Sequence, residues 1–162
     1  MAVCVLAGII AIFVFGPNKN APPETFSKLP ADVPEVPVKA PFTKEARHVA
    51  VRFVQTAVAR ENLAEAWTLV GASLRGGLTR AEWMTGNNPV VPYPVDKLEV
   101  APFKIDFSYT KSALLEVALI PRRNSGVRSQ IFFLSLRKIG KGSQAHWVVD
   151  NWVPRASVLV PR

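Results

Sequence analysis

The chain is poor in the side chains that form disulfides and metal sites. Its 162 residues include one cysteine and two histidines. A single cysteine can form no disulfide within the chain and no cysteine-based metal centre. The two histidines, His48 and His146, are far apart in sequence and no carboxylate cluster accompanies them. We therefore predict no metal site and no cofactor.

Motifs for catalysis are also missing. The sequence has neither a glycine-rich loop that cradles phosphate nor the sharp turn that presents a nucleophilic serine. Asp106, Tyr109 and His146 are the candidates for lining a small-molecule pocket, where they could do acid–base chemistry. His146 and Asp150 lie four apart on a predicted strand, about 13 Å from each other, which excludes a direct pair. We predict no catalytic residue and interpret these groups as surface side chains, with the pocket as the alternative.

Charge is absent from the first 17 residues, MAVCVLAGIIAIFVFGP. A bilayer-spanning helix needs about 17 to 25 apolar residues, so this run is at the lower end of that range. It leaves no polar face, as a surface helix would require, and no small-x-small cleavage motif follows it. We predict an uncleaved, single-pass transmembrane anchor over residues 1–17. A cleaved signal peptide and an apolar helix in a soluble core are the alternatives.

Residues 18–42, NKNAPPETFSKLPADVPEVPVKAPF, hold six of the chain's 14 prolines, and their charges balance. Proline removes a backbone donor and fixes φ, so this segment suits neither a helix interior nor a central strand. We predict an extended, semi-rigid linker. Anchor and linker together predict a cell-membrane protein whose domain, residues 43–162, lies on the extracytoplasmic side.

Positive charge is concentrated in that domain. The chain has 20 Lys and Arg against 12 Asp and Glu, a net charge of +8, and none of the excess falls in the anchor or the linker. Anionic lipid or an anionic envelope polymer is therefore a candidate partner. Nucleic acid is disfavoured, because no helix-turn-helix, zinc finger or aromatic RNA-binding signature occurs.

Apolar residues recur at helical spacing in the first part of the domain. Residues 41–60 carry an apolar stripe at spacings of three and four, with Thr43 as a suitable N-cap. Two shorter helices are predicted within residues 61–89, where Asn62 and Thr79 can act as N-caps. The loop that follows, GNNPVVPYPVD, contains three prolines and is predicted to be a rigid crossing.

The period then changes to two. The segments KLEVAPFKIDFSY, SALLEVALI, VRSQIFFLSLRK and AHWVVDNWV are separated by short polar turns, which predicts an antiparallel meander of about four strands. Three helices followed by such a sheet define an α+β domain, with the helices across the concave face of a curved sheet. We expect its interior to be filled by Phe103, Phe107, Phe133 and Trp147.

Three segments carry a family resemblance: VRFVQTAVARENLAEAWTLV, LRGGLTRAEW and the final AHWVVDNWV. Their order and spacing over residues 43–155 resemble the nuclear transport factor 2-like superfamily, including its SnoaL-like members. The resemblance implies a cone-shaped domain. A single anchor with this fold implies a binding or scaffold module in the envelope, such as an accessory subunit of a secretion, conjugation or transport assembly. Small-molecule-binding or catalytic members, isomerase- or hydrolase-like, are the alternative.

Seven residues are candidates for an interface with a protein partner or a second copy of the chain. Trp152 falls on the strand face opposite Trp147 and is the candidate exposed anchor. The other six are basic and flank two hairpin turns: Arg122, Arg123 and Arg128 at the first, and Arg137, Lys138 and Lys141 at the second. Successive turns of a meander lie at opposite ends of the sheet, so we predict two clusters about 25 Å apart, of which only one would contact anionic lipid.

Overall fold

The computed structural model describes residues 37–155 of the chain. The predicted anchor, residues 1–17, most of the predicted linker and residues 156–162 lie outside the described part. Within residues 37–155, no helix is long and apolar enough to cross a bilayer. The anchor therefore remains a prediction from the sequence.

In the part of the domain that the structure describes, four α-helices precede the sheet, where the sequence predicts three. Their bounds are α1 Lys44–Phe53, α2 Leu63–Leu69, α3 Ala72–Arg75 and α4 Arg80–Met84, and α1 continues into a π-helical turn, Val54–Val58. The three predicted N-caps are confirmed, because each side-chain oxygen accepts a hydrogen bond from the backbone N–H three residues on. These oxygens belong to Thr43, Asn62 and Thr79.

The second predicted helix is divided into α2 and α3 by a contact with the last strand. Val70 has an extended backbone and forms a parallel bridge with Val149, and the Gly71 N–H donates to the Val149 carbonyl at 2.8 Å. A Cβ at Gly71 would lie 3.0 Å from an oxygen of Asp150 and 3.2 Å from a methyl of Val148. A side chain at this position would require Asp150 and Val148 to move by a few tenths of an ångström.

An antiparallel sheet of five strands follows the helices, and it confirms the predicted α+β class and the meander. The strands are β1 Leu98–Val100, β2 Phe103–Ser108, β3 Ser112–Pro121, β4 Gln130–Ile139 and β5 His146–Pro154. β1 and β2 both pair with β3, and β4 and β5 continue the order. β1 and β2 thus form one edge, interrupted at Ala101 and Pro102, where the sequence predicts a single strand.

The helices cover one face of this sheet and form the core with it. Buried residues alternate along β3, from Ala113 to Leu119, and along β4, from Phe132 to Leu136. They form one cluster with the apolar stripe of α1, which includes Phe53. We call the opposite side of the sheet the outer face.

Two aromatic residues predicted for the interior lie instead on the outer face. Just before Phe107, β2 advances by two residues while its partner β3 advances by one, so that Phe107 pairs with Leu114. The Phe107 side chain is 39% exposed. This bulge reverses the alternation of the strand. On β4 the core position belongs to Phe132, and Phe133 is its half-buried neighbour on the outer face. Trp147 is in the core, as predicted.

The proline-rich crossing between α4 and the sheet is held at several points. The Tyr93 N–H donates to the Val58 carbonyl at 3.1 Å, and the Tyr93 hydroxyl donates to the Arg128 carbonyl at 3.0 Å. Arg60, whose φ is 63°, donates to the Val90 carbonyl at 2.5 Å. Burial lowers the pKa of Arg60 from its ordinary value. The predicted ordered crossing is confirmed.

Candidate functional site

The predicted acid–base residues do not meet at one place. Asp106 and Tyr109 line an open groove of about 660 Å³ along the edge of β2, together with Lys39. The Asp106 carboxylate is 3.1 Å from the Lys104 ammonium. His146 lines a different groove. The structure therefore brings Asp106 and Tyr109 together and separates both from His146.

Asp150 is fixed by an ion pair and by its position in a bulge. Val149 pairs with Leu136 and Asn151 with Ser135, which leaves Asp150 as the extra residue of β5. Its carboxylate is 2.6 Å from the Arg137 guanidinium, which also donates to Ser73 at 3.2 Å. This pairing makes Asp150 a structural group that joins α3 to the sheet.

The same bulge buries Trp152, which the sequence predicts as an exposed anchor. Because one extra residue precedes it, Trp152 pairs with Leu134 on the helix-covered face and is 2% exposed. Its ring stacks on Phe132 at 4.1 Å, and its indole N–H donates to the Val91 carbonyl at 3.1 Å. Trp152 is thus a core residue and cannot be an interface anchor in this fold.

The two basic clusters lie at opposite ends of β4, as its neighbouring hairpins require. At the first hairpin, Arg122 donates to the backbone carbonyls of Asp96 and Leu98, which ties the hairpin to β1. Arg123 and Arg128 are exposed in the same loop.

At the second hairpin the three basic residues have different surroundings. Arg137 is paired with Asp150. Lys138 lies over the Trp147 ring at 6.0 Å from its centroid, and Lys141 is exposed in the turn. Lys138 is the member of this cluster that faces a cavity.

That cavity, which we call the histidine groove, was not predicted. It measures about 490 Å³ and lies between α1 and the second hairpin. Its lining residues are Lys44, Glu45, His48, Val49, Lys138, Ala145, His146 and Trp147. The spacing of Lys44 and His48 places them on one face of α1, but the approach of His146 depends on tertiary packing. No sequence pattern indicates it.

Electrostatics in the histidine groove are set by basic side chains around one carboxylate. The pKa of Glu45 is held below its ordinary value, first by a backbone hydrogen bond at Glu45, then by Thr43, and further by the charges of Lys138 and Lys44. The His146 Nδ1 is 2.9 Å from the Gln144 carbonyl oxygen. When Nδ1 donates this bond, Nε2 is left to interact with a ligand.

A third cavity is small and apolar. It measures about 190 Å³ and lies between the π-helical turn and the β1–β2 edge. Its walls include Val54, Leu98, Phe103 and Val117, and Gln55 is its polar lining residue. Such a cavity suits an apolar ligand rather than acid–base chemistry. In residues 37–155, no three His, Cys, Asp or Glu side chains are placed to hold a metal ion.

Comparisons with known proteins do not relate this chain to a family. No protein-family model, curated protein or solved structure matches the chain.

Proposed function

We propose that the chain is a single-pass cell-envelope protein whose extracytoplasmic domain is a non-catalytic binding module for another protein. In this proposal the domain is a cone of the nuclear transport factor 2-like type and serves as an accessory subunit of an envelope assembly. The observation that carries the binding role is the apolar outer face of the sheet.

Large apolar side chains cluster on that face. Phe107, Ile131 and Val153 come from three strands, and each is 37–40% exposed. Phe133 lies among them, because it pairs with Val153. Exposed apolar clusters of this kind are typical of protein-binding surfaces.

Charge favours a different protein over a second copy as the occupant. Charged groups on the outer face are paired with each other: Arg155 contacts Glu116 at 2.7 Å, and Lys104 contacts Asp106 at 3.1 Å. The chain as a whole carries +8, so two copies repel each other while an acidic partner is attracted. We therefore propose a partner protein that presents an apolar patch within an acidic surface.

A photo-crosslinking amino acid at Ile131 of the full chain tests this contact in native membranes. We expect one acidic partner, captured by wild type and lost in Val153→Lys. Val91→Lys is the matched control, because Val91 is 38% exposed and Val153 is 40% exposed. Equal capture by both variants, or crosslinks only between copies of the chain, would contradict the proposal.

Membrane attachment has its own test. We expect the full chain to stay with the membrane fraction after a carbonate wash, and a chain without residues 1–17 to be released. Release of the full chain by carbonate would rule out the anchor.

The apolar cavity favours small-molecule binding as a second candidate function. An apolar fluorescent probe would then bind the domain, and Ala101→Phe, at the cavity wall, would reduce its binding. Loss of probe binding in Val153→Lys instead would assign the probe to the outer face.

A further inference from the structure

Both histidines of the chain line the histidine groove, although they are 98 positions apart in sequence. His48 comes from α1, and His146 is the first residue of β5. Lys44 lies one helical turn before His48, and Lys138 is the residue of β4 next to the groove. Four basic side chains from three elements therefore surround one cavity.

Protonation of the histidines triples the charge of this cavity. With both rings neutral, Lys44 and Lys138 against Glu45 leave one net positive charge among the lining residues. With both rings protonated the net charge is three. Histidine is the side chain that changes charge between about pH 5 and 8.

The charged groups next to the groove do not cancel the net positive charge of its lining residues. Glu65 of α2 is the acidic group that interacts with His48 from outside the lining. Its carboxylate accepts two hydrogen bonds from Arg52, one of them at 2.6 Å. Glu65 therefore interacts with His48 as part of a neutral pair.

The lining chemistry indicates which anion fits. None of the described lining residues is arginine, so the planar fork that binds a carboxylate or a phosphate with two parallel bonds is missing. An anion in the groove would instead meet separate point donors, lysine ammonium and imidazolium N–H groups, and lysine is a common point-charge ligand of phosphate groups. The cavity, about 490 Å³, is large enough for a phosphate with its small substituents.

We propose that the histidine groove binds a phosphodiester anion, and that its affinity rises as the pH falls through the histidine range. A lipid headgroup and a soluble phosphodiester share this chemistry. The site is separate from the outer face, and the proposal does not depend on a protein partner or on the anchor.

The full chain in a neutral detergent allows the site to be tested with glycerophosphoglycerol, the headgroup of phosphatidylglycerol. Its phosphodiester keeps one charge across the range, so any pH dependence comes from the protein. Calorimetric titration should give an affinity about tenfold higher near pH 5.5 than near pH 7.5. Two histidines give two sets of ring signals in NMR spectra, assigned with His48→Gln and His146→Gln. Both sets should shift on titration.

Variants distinguish binding in the groove from non-specific attraction to the positive charge of the chain. Lys138→Gln should weaken binding at both pH values, by about five- to tenfold. The double variant His48→Gln/His146→Gln should keep weak binding and lose its pH dependence. Lys97→Gln at the opposite end of the sheet is the matched control and should bind as wild type does. Thermal unfolding of each variant checks that it is folded.

A second arm identifies the source of the phosphodiester. The full chain is placed in nanodiscs of phosphatidylcholine with or without phosphatidylglycerol, and the histidine signals are compared. A response to the anionic lipid assigns the groove to a membrane surface, and a response to the soluble headgroup alone assigns it to a free ligand. No histidine response in either arm, an affinity independent of pH, or equal weakening by Lys97→Gln and Lys138→Gln would overturn the proposal.

Discussion

The two faces of the sheet are built from the same strands and differ in what covers them. Along β3, alternate residues from Ala113 to Leu119 are buried under the helices, while Leu114, Glu116 and Ala118 on the outer face are half-buried. On the helix-covered face, the rings of Phe132 and Trp152 stack on each other. The outer face keeps apolar side chains that folding of this domain leaves in water. The difference separates residues that stabilise the fold from residues that remain available for binding.

Substitutions of two adjacent phenylalanines on β4 should show the largest difference in stability between the two faces. Phe132 is fully buried and Phe133 is half-buried on the other side. Phe132→Ala should lower the free energy of unfolding by about 4 kcal/mol, because it leaves a cavity beneath Trp152. Phe133→Ala should lower it by about 1 kcal/mol, since water already reaches that ring. Chemical denaturation of the full chain measures both, and equal losses would show that the outer face is covered too.

Substitutions of Arg60 measure how much the proline-rich crossing contributes to the stability of the helix-covered side. Its guanidinium donates to the Asn88 and Val90 carbonyls, and its backbone is left-handed. Arg60→Ala should cost about 2 kcal/mol, because these bonds are lost while the strain of the left-handed backbone is the same as in wild type. Arg60→Gly loses the same bonds and relieves the strain, so it should cost about 1 kcal/mol less. An Ala variant as stable as the Gly variant would exclude strain at this position.

The helix layer should respond to pH through Glu65. Hydrogen bonds from Arg52 lower the pKa of Glu65, so the pair stabilises the fold above the pKa of an unfolded glutamate and this contribution is lost as the pH falls through the folded value. Glu65→Gln should therefore melt below wild type near pH 7, and the gap between the two melting temperatures should narrow as the pH falls below the range of an unfolded glutamate. Glu61→Gln is the control and should follow wild type across the same range. If the difference in melting temperature between wild type and Glu65→Gln persists in acid, the variant is destabilised by lost packing and not by the lost charge.

The smallest effect belongs to the outer face. Val153→Lys should change the free energy of unfolding by less than about 0.5 kcal/mol, as is typical of exposed positions. The same variant is expected to abolish partner capture. A large loss of stability in Val153→Lys would mean that its binding defect reports misfolding, and the Val91→Lys control would then no longer be matched.

Local signals in the sequence predict much of this fold. The caps at Thr43, Asn62 and Thr79 depend on neighbours three residues away, and short turns determine the meander. The positions of Phe107 and Trp152 were predicted incorrectly because each follows a bulge. A bulge arises from the register between strands and leaves the residue pattern of its own strand unchanged. The histidine groove was missed for a related reason, since α1 meets β5 only in the folded chain.

The parallel bridge between Val70 and Val149 has a consequence for folding kinetics. Its residues are 79 positions apart, whereas the hairpin of β3 and β4 closes a short loop. Long loops close at a higher entropic cost, so the hairpins should form before the α2–α3 segment reaches β5. Pulse-labelled hydrogen exchange should then find the Gly71 amide protected after the amides of the β3–β4 ladder. Until that moment the Val149 position on the edge of β5 is unpaired and open to pairing with another chain.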